Sequence, residues 1–149
     1  MDLVRFLMGE ATEVAAVAAE GFNVGIPGYD IEDAWAVAIK FASGGVANLH
    51  ACTASNARGG VNLDVYAKNC AFEFTGWEHN CKIYRVGEEE PEEISGEEEV
   101  FYLEDVAFIE MLRSGEQSKV QSDYADGLKT LEISIAADQS VATGETIRL

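Results

Sequence analysis

From Asp33 to Ala42 large and small side chains alternate. Trp35, Val37, Ile39 and Phe41 fall on one face, and Ala34, Ala36, Ala38 and Lys40 on the other. Successive residues of a strand point to opposite sides. The run therefore predicts a strand whose bulky face needs helices packed on it, while its other face is flat, small and apolar. Ser43-Gly44-Gly45 reads as a hairpin turn and Val46 to Ala54 as the returning strand. Such a hairpin commits the chain to an antiparallel sheet with one helix-covered face.

The remaining segments extend that sheet. Thr12 to Glu20, rich in Val and Ala, reads as a strand, and Gly21 to Asp30, with its Gly, Asn and Pro, as a loop. Val61 to Ala67 alternates, with Val61, Leu63 and Val65 inward and Asn62, Asp64 and Tyr66 outward. Lys68-Asn69 suits a turn. Cys70 to Thr75 follows with Phe72 and Phe74 on one face, and Asn80 to Val86 adds another strand. Strands joined by tight turns pair antiparallel.

Helical spacing is found in three places. Met1 to Gly9 reads as a helix already under way. Tyr102 to Ser114 sets Val106, Phe108, Ile109 and Leu112 on one side. Ser122 to Leu149 reads as a helix capped by Ser122, with Asp123 and Asp126 favourably placed in its first turn. Tyr124, Leu128, Leu131 and Ile135 form its expected core-facing stripe, Gly144 closes it, and a short strand follows. The fold class expected is α+β: an open, mostly antiparallel sheet with helices on one face.

Composition limits the partners. With 27 acidic and 10 basic residues the net charge is −17, so nothing neutralises a row of phosphates, and nucleic acid is excluded. An anionic membrane surface is disfavoured for the same reason. No apolar run reaches the roughly 18 to 20 residues that cross a bilayer, and the N-terminus lacks a basic region followed by an apolar core. The expected location is cytoplasmic. Residues 88 to 99 hold eight glutamates, which predicts an extended, solvated loop without the Asp, Asn and Gly spacing of a calcium site. Cys52, Cys70 and Cys81 form no Cys-x-x-Cys pair and read as reduced thiols. His50 lies two residues from Cys52 on one strand face, with no third group to complete a nucleophilic constellation.

The order of these segments resembles the C-terminal domain of the Gfo/Idh/MocA family of NAD(P)-dependent oxidoreductases. The resemblance is carried by Met1 to Glu10 as the opening helix, Asp33 to Asn48 as the central hairpin, Tyr102 to Gly115 as the penultimate helix with Glu104 and Phe108, and Ser122 to Leu149 as the closing helix and strand. It covers nearly all 149 residues. It implies a C-terminal domain of the dihydrodipicolinate-reductase and glyceraldehyde-phosphate-dehydrogenase type. It also implies one substrate-binding and oligomerisation domain over 1–149, with the dinucleotide-binding domain absent from this chain.

A dinucleotide site needs a glycine-rich turn between a strand and a helix. Gly21-Phe22-Asn23-Val24-Gly25 and Gly25-Ile26-Pro27-Gly28 lack the spacing and the helix, and the family's Glu-Lys-Pro motif does not occur. The family's catalytic Lys, Asp and His fall upstream of Met1 by this match. No catalytic, cofactor or metal residue is therefore assigned, and the chain alone is expected to be inactive. The resemblance implies NAD or NADP in a parent protein acting on a sugar or polyol. It also implies a homo-oligomer formed through the open sheet face, with the cofactor domain as a further partner. Asn56, Arg58, Trp77 and Tyr102 are the expected substrate contacts, since a polyol takes hydrogen-bonding groups beside an aromatic wall. Many family members carry a tyrosine three residues ahead of the helix glutamate. Here Phe101 stands in that place, with Tyr102 one residue later. The alternative reading is a stand-alone, non-catalytic binding or assembly module.

Overall fold

The alternation along the central hairpin is realised residue for residue. In the computed structural model, which describes all residues except Asn56, Arg58, Gln117, Ser118, Lys119 and Gln121, Val37, Ile39 and Phe41 are buried, whereas Ala36, Ala38 and Lys40 are exposed. The elements run α1 (Asp2–Met8), β1 (Ala11–Ala19), β2 (Ala34–Phe41), β3 (Val46–Cys52), β4 (Asn62–Tyr66), β5 (Cys70–Thr75), β6 (Asn80–Arg85), β7 (Glu92–Ile94), α2 (Val100–Ser114), α3 (Tyr124–Thr143) and β8 (Ile147–Arg148). Every strand pairing is antiparallel. This is the α+β class the sequence predicts, with the described strands divided into two four-stranded sheets. They belong to two compact units, one comprising Met1–Ser55 with Ser122–Leu149 and the other Asn56–Gln121.

The first unit holds the sheet β3-β2-β1-β8, with a core of Val14, Val37, Ile39, Phe41, Ile133, Ala136 and Ala137. Removing a large apolar side chain from water contributes about 1.5–3 kcal/mol, so Phe41, Ile39, Val37 and Ile133 anchor this unit. Helix α3 corrects one expectation. Its buried residues are Ile133, Ala136, Ala137 and Ser140, whereas Leu128, Leu131 and Ile135 are exposed and Tyr124 is 98% exposed. The small side chains let the helix backbone approach the sheet closely, so it presents its alanine side to the core and its bulky stripe outward. The cap is also displaced by one residue. The Asp123 carboxylate accepts the Asp126 N–H at 2.8 Å, and the Ser122 hydroxyl donates instead to the Asp126 carboxylate at 3.0 Å. Gly144 closes the helix at φ 72°, as its position predicts.

An unforeseen ion cluster fastens α1 to α3. The Arg5 side chain is buried, and its guanidinium donates to the Thr130 hydroxyl at 3.1 Å, the Asp126 backbone carbonyl at 3.1 Å and the Asp126 carboxylate. Glu10 lies 3.3 Å from Arg5 and 2.9 Å from Lys129. The guanidinium holds the Asp126 carboxyl below the ordinary aspartate range, with the Ser122 hydroxyl adding to the effect. Phe6 and Leu7 on the same short helix are exposed.

The second unit holds β4-β5-β6-β7. Phe72 and Phe74 share one face, with ring centroids 6.4 Å apart. Its helix α2 buries no residue, and Phe108, Ile109 and Leu112 are exposed. The glutamate-rich run is not wholly a loop. Glu92–Ile94 pairs with β6, where Lys82 meets Glu93 at 3.0 Å and Arg85 meets Glu92 at 2.7 Å. Cross-strand cations offset the repulsion that favours a solvated loop. Among the described residues no helix is long and apolar enough to cross a membrane.

Candidate functional site: an uncovered sheet face and an aromatic pair

In the first unit, strand register determines what the uncovered face presents. Residues opposite one another across antiparallel strands share a face. Ala36 pairs with Val17 and His50, and Ala38 with Ala15 and Asn48, so these six residues share the side away from α3. Next along, Lys40 pairs with Glu13 and Val46, and the Lys40 ammonium lies 3.2 Å from the Glu13 carboxylate. Toward the other end, Ala34 lies between Ala19 and Cys52. The centre of the face is thus small and apolar, and its charges are few and of both signs. An open hollow of about 500 Å³ is lined by Ala36, Ala38 and His50 of this face and also by Ser140, Gly144 and Glu145 at the end of α3. His50 and Cys52 do share a face, but it is the exposed one rather than a packed interior.

At the end of this face the loop between β1 and β2 is built on Asp33, which is 2% exposed. Its carboxylate accepts the Phe22 N–H at 2.8 Å, the Asn23 side-chain amide at 2.5 Å and the Tyr29 hydroxyl at 2.8 Å. Burial alone would push the Asp33 pKa up. The N–H groups of Phe22 and Asn23, the Tyr29 hydroxyl and the Asn23 amide outweigh it and hold the carboxyl below the ordinary range. The backbone of Asp33 is tied on both sides, donating to the Ala19 carbonyl and accepting from the Thr53 N–H, each at 2.8 Å. The sequence offers only a weak signal for this, an aspartate between a Gly/Asn/Pro loop and a strand.

In the second unit the turn from β5 to β6 places Trp77. Gly76 takes φ 76° there, and His79, a non-glycine, takes φ 55°, so one of the two histidines is committed to turn geometry. Trp77 is 57% exposed and its ring centroid lies 5.8 Å from that of Phe101, with the planes tilted by 52°. That spacing suits a favourable aromatic contact. The ring packed on Trp77 is therefore Phe101, in the first turn of α2, and not the neighbouring Tyr102, which is itself exposed. Of the expected substrate contacts, Asn56 and Arg58 lie outside the described residues, and Trp77 and Tyr102 both present aromatic surface to solvent. Burial pushes the Cys81 thiol up, with Glu92 adding to it, which disfavours the reactive thiolate. Among the described residues no three His, Cys, Asp or Glu side chains converge as a metal site.

Residues 1–149 match the family model described as "Oxidoreductase family, C-terminal alpha/beta domain" of the Gfo/Idh/MocA type. The chain belongs to this family. Among solved structures, the Gfo/Idh/MocA domain here is similar to an aldose-aldose oxidoreductase from Caulobacter crescentus complexed with glycerol, with a TM-score of 0.81 and 20% identity over 99% of this chain and 44% of that one. It is also similar to levoglucosan dehydrogenase in complex with NADH, with a TM-score of 0.82 and 17% identity over 99% of this chain and 47% of that one. An oxidoreductase from Agrobacterium radiobacter in complex with NAD+, L-tartaric acid and magnesium matches at a TM-score of 0.74 and 17% identity, over 99% and 46% of the two chains. The Gfo/Idh/MocA domain therefore spans less than half of each of these proteins. Among curated proteins none matches significantly.

Proposed function

We propose that this chain is the substrate-binding and oligomerisation domain of an NAD(P)-dependent oxidoreductase acting on a sugar or polyol. In this reading it is inactive alone, and hydride transfer requires a cofactor domain and catalytic residues upstream. The observation that carries the substrate assignment is the solvent-exposed pair Trp77 and Phe101. Apolar ring faces beside hydroxyl-bearing groups suit the C–H faces and hydroxyls of a saccharide. Tyr102, Asn56 and Arg58 supply further polar contacts. The relatives named for levoglucosan and for aldoses, one of them bound to NADH, support the same substrate and cofactor class. The uncovered face centred on Ala36 and Ala38 pairs two copies, because contiguous apolar surface of this kind is seldom left in water.

Titration of the chain with glycerol, glucose and levoglucosan, followed by tryptophan fluorescence, tests the first assignment. Saturable changes in the millimolar range that vanish in Trp77→Ala and weaken in Phe101→Ala support it. A response that survives Trp77→Ala, and so arises at Trp35, would overturn it. Saturable NADH binding by this chain would remove the claim that cofactor binding lies elsewhere.

A further inference from the structure

We infer that the loop from Phe22 to Ile31 is a preformed arm that grips a second copy of this chain, carrying the open-face contact beyond the end of the sheet. The inference rests on the reading that the open face pairs two copies. Four large apolar side chains stand in this loop: Phe22 at 64% exposure, Val24 at 77%, Ile26 at 53% and Ile31 at 56%. In an ordinary surface loop polar groups face water and apolar ones fold under. Here the arrangement is inverted. Asn23 and Tyr29 turn inward onto the buried Asp33 carboxylate, and the Tyr29 hydroxyl also lies 3.0 Å from the Thr53 hydroxyl. The apolar residues are left outside on a backbone that Asp33 pins at Phe22 and Asn23. A surface already ordered before contact loses little freedom on binding, which favours affinity.

Charge selects the occupant. From Gly21 to Tyr29 there is no charged residue, in a chain whose net charge is −17, and the carboxylates of Glu20, Asp30 and Glu32 stand at the ends of that stretch. A basic partner would be drawn to the carboxylates elsewhere and finds no attraction here. Two copies at −17 each repel, and their contact meets the least repulsion where charge is sparse. The loop supplies such a surface. It continues directly into one, since Ala19 and Ala34, which flank it, sit on the uncovered face as a cross-strand pair. A two-fold operator then sets the arm of each copy against the other, the same patch serving on both sides.

Sedimentation equilibrium of the full chain tests this with two variants: Ala36→Glu on the sheet face, and the double variant Phe22→Ser with Val24→Ser on the arm. Circular dichroism of each checks that the fold is kept. The expected result is a wild-type dimer that tightens with added salt, as the repulsion between like-charged copies is screened. Ala36→Glu should be monomeric, and the arm variant should have its dimer dissociation constant raised at least about tenfold. An arm variant that dimerises like wild type while Ala36→Glu is monomeric would overturn the arm and leave the open-face reading standing. Wild-type dimerisation in both variants, or a monomeric wild type at high concentration, would overturn both.

Discussion

Replacing Ser140 by alanine probes a bridge between helix and sheet whose worth follows from its geometry. Strand β8 pairs with β1 at Glu13 with Arg148 and Val14 with Ile147. Carried two residues further, that register sets Ala16 opposite Glu145. No direct ladder bond is made there. The Ala16 N–H donates to the Ser140 hydroxyl at 2.9 Å, and that hydroxyl donates to the Glu145 carbonyl at 2.7 Å. Ser140, 2% exposed, thus stands inside the ladder as a relay where the strand gives way to the C-terminus of α3. Without the hydroxyl two backbone groups lose their partner. The Glu145 carbonyl belongs to an exposed residue and regains water, but Ala16 is half-buried, and a buried donor left unpaired costs about 1–3 kcal/mol. Alanine returns about 0.5 kcal/mol through its better helix propensity.

The net loss expected is about 1.5 kcal/mol. With a urea slope of about 2 kcal/mol/M, the unfolding midpoint should fall by roughly 0.5–1 M at an unchanged slope. Thr143→Ala is the control. Its hydroxyl makes bonds of the same kind, donating to the Gln139 carbonyl at 2.8 Å and accepting the Glu145 N–H at 3.2 Å, but on an exposed residue. It should shift stability by no more than about 0.5 kcal/mol. A Ser140→Ala midpoint indistinguishable from wild type, or a Thr143→Ala loss just as large, would refute the argument that the buried relay carries the energy.

Three further outcomes follow from the same fold. In urea unfolding, Ile133→Ala should cost about 2–5 kcal/mol and Leu131→Ala less than about 1 kcal/mol, because α3 buries the first and exposes the second; equal losses would restore the bulky stripe as the core side. The depressed pKa of Asp33 stabilises the fold fully above the ordinary aspartate value of about 3.9, and the effect is lost as pH falls through the lower folded value. Urea midpoints below about pH 4.5 should therefore decline less steeply in Asp33→Asn than in wild type, and parallel curves would contradict the assignment. Arg5→Lys keeps the charge but cannot reach Thr130, Asp126 and Glu10 together; calorimetry should show a lower Tm that 1 M salt does not abolish, since the guanidinium is buried.

The sequence was legible where a period decides the structure. Alternation along Ala34–Phe41 named the buried and exposed sides of the hairpin, and Gly144 marked the helix end because only a left-handed residue closes it there. It failed where size stands for burial. On α3 the stripe of Tyr124, Leu128, Leu131 and Ile135 seemed to define the core side, yet close helix-to-sheet packing selected Ile133, Ala136, Ala137 and Ser140. Phe101 and Tyr102 are adjacent, and one step along a helix turns a side chain by about 100°, so composition could not tell which ring would meet Trp77. The Asp33 cluster left only a weak trace in the sequence and the Ser140 relay none, since both depend in part on backbone N–H groups that every residue carries.

Charge shows the same limit from the other side. The excess of 17 negative charges argues against a nucleic-acid partner from the sequence alone, but it says nothing about where charge is missing. That is a property of register and loop closure. The pairing of β1, β2 and β3 brings Ala15, Ala36 and Ala38 onto one face, and Asp33 turns the polar groups of the neighbouring loop inward. In a chain this acidic, a neutral apolar area is the surface on which association meets the least repulsion. The folded arrangement therefore shows where a neutral apolar surface lies, which the residue count cannot do, and the small alanines of β2 matter for what they leave uncovered as much as for what the opposite side buries.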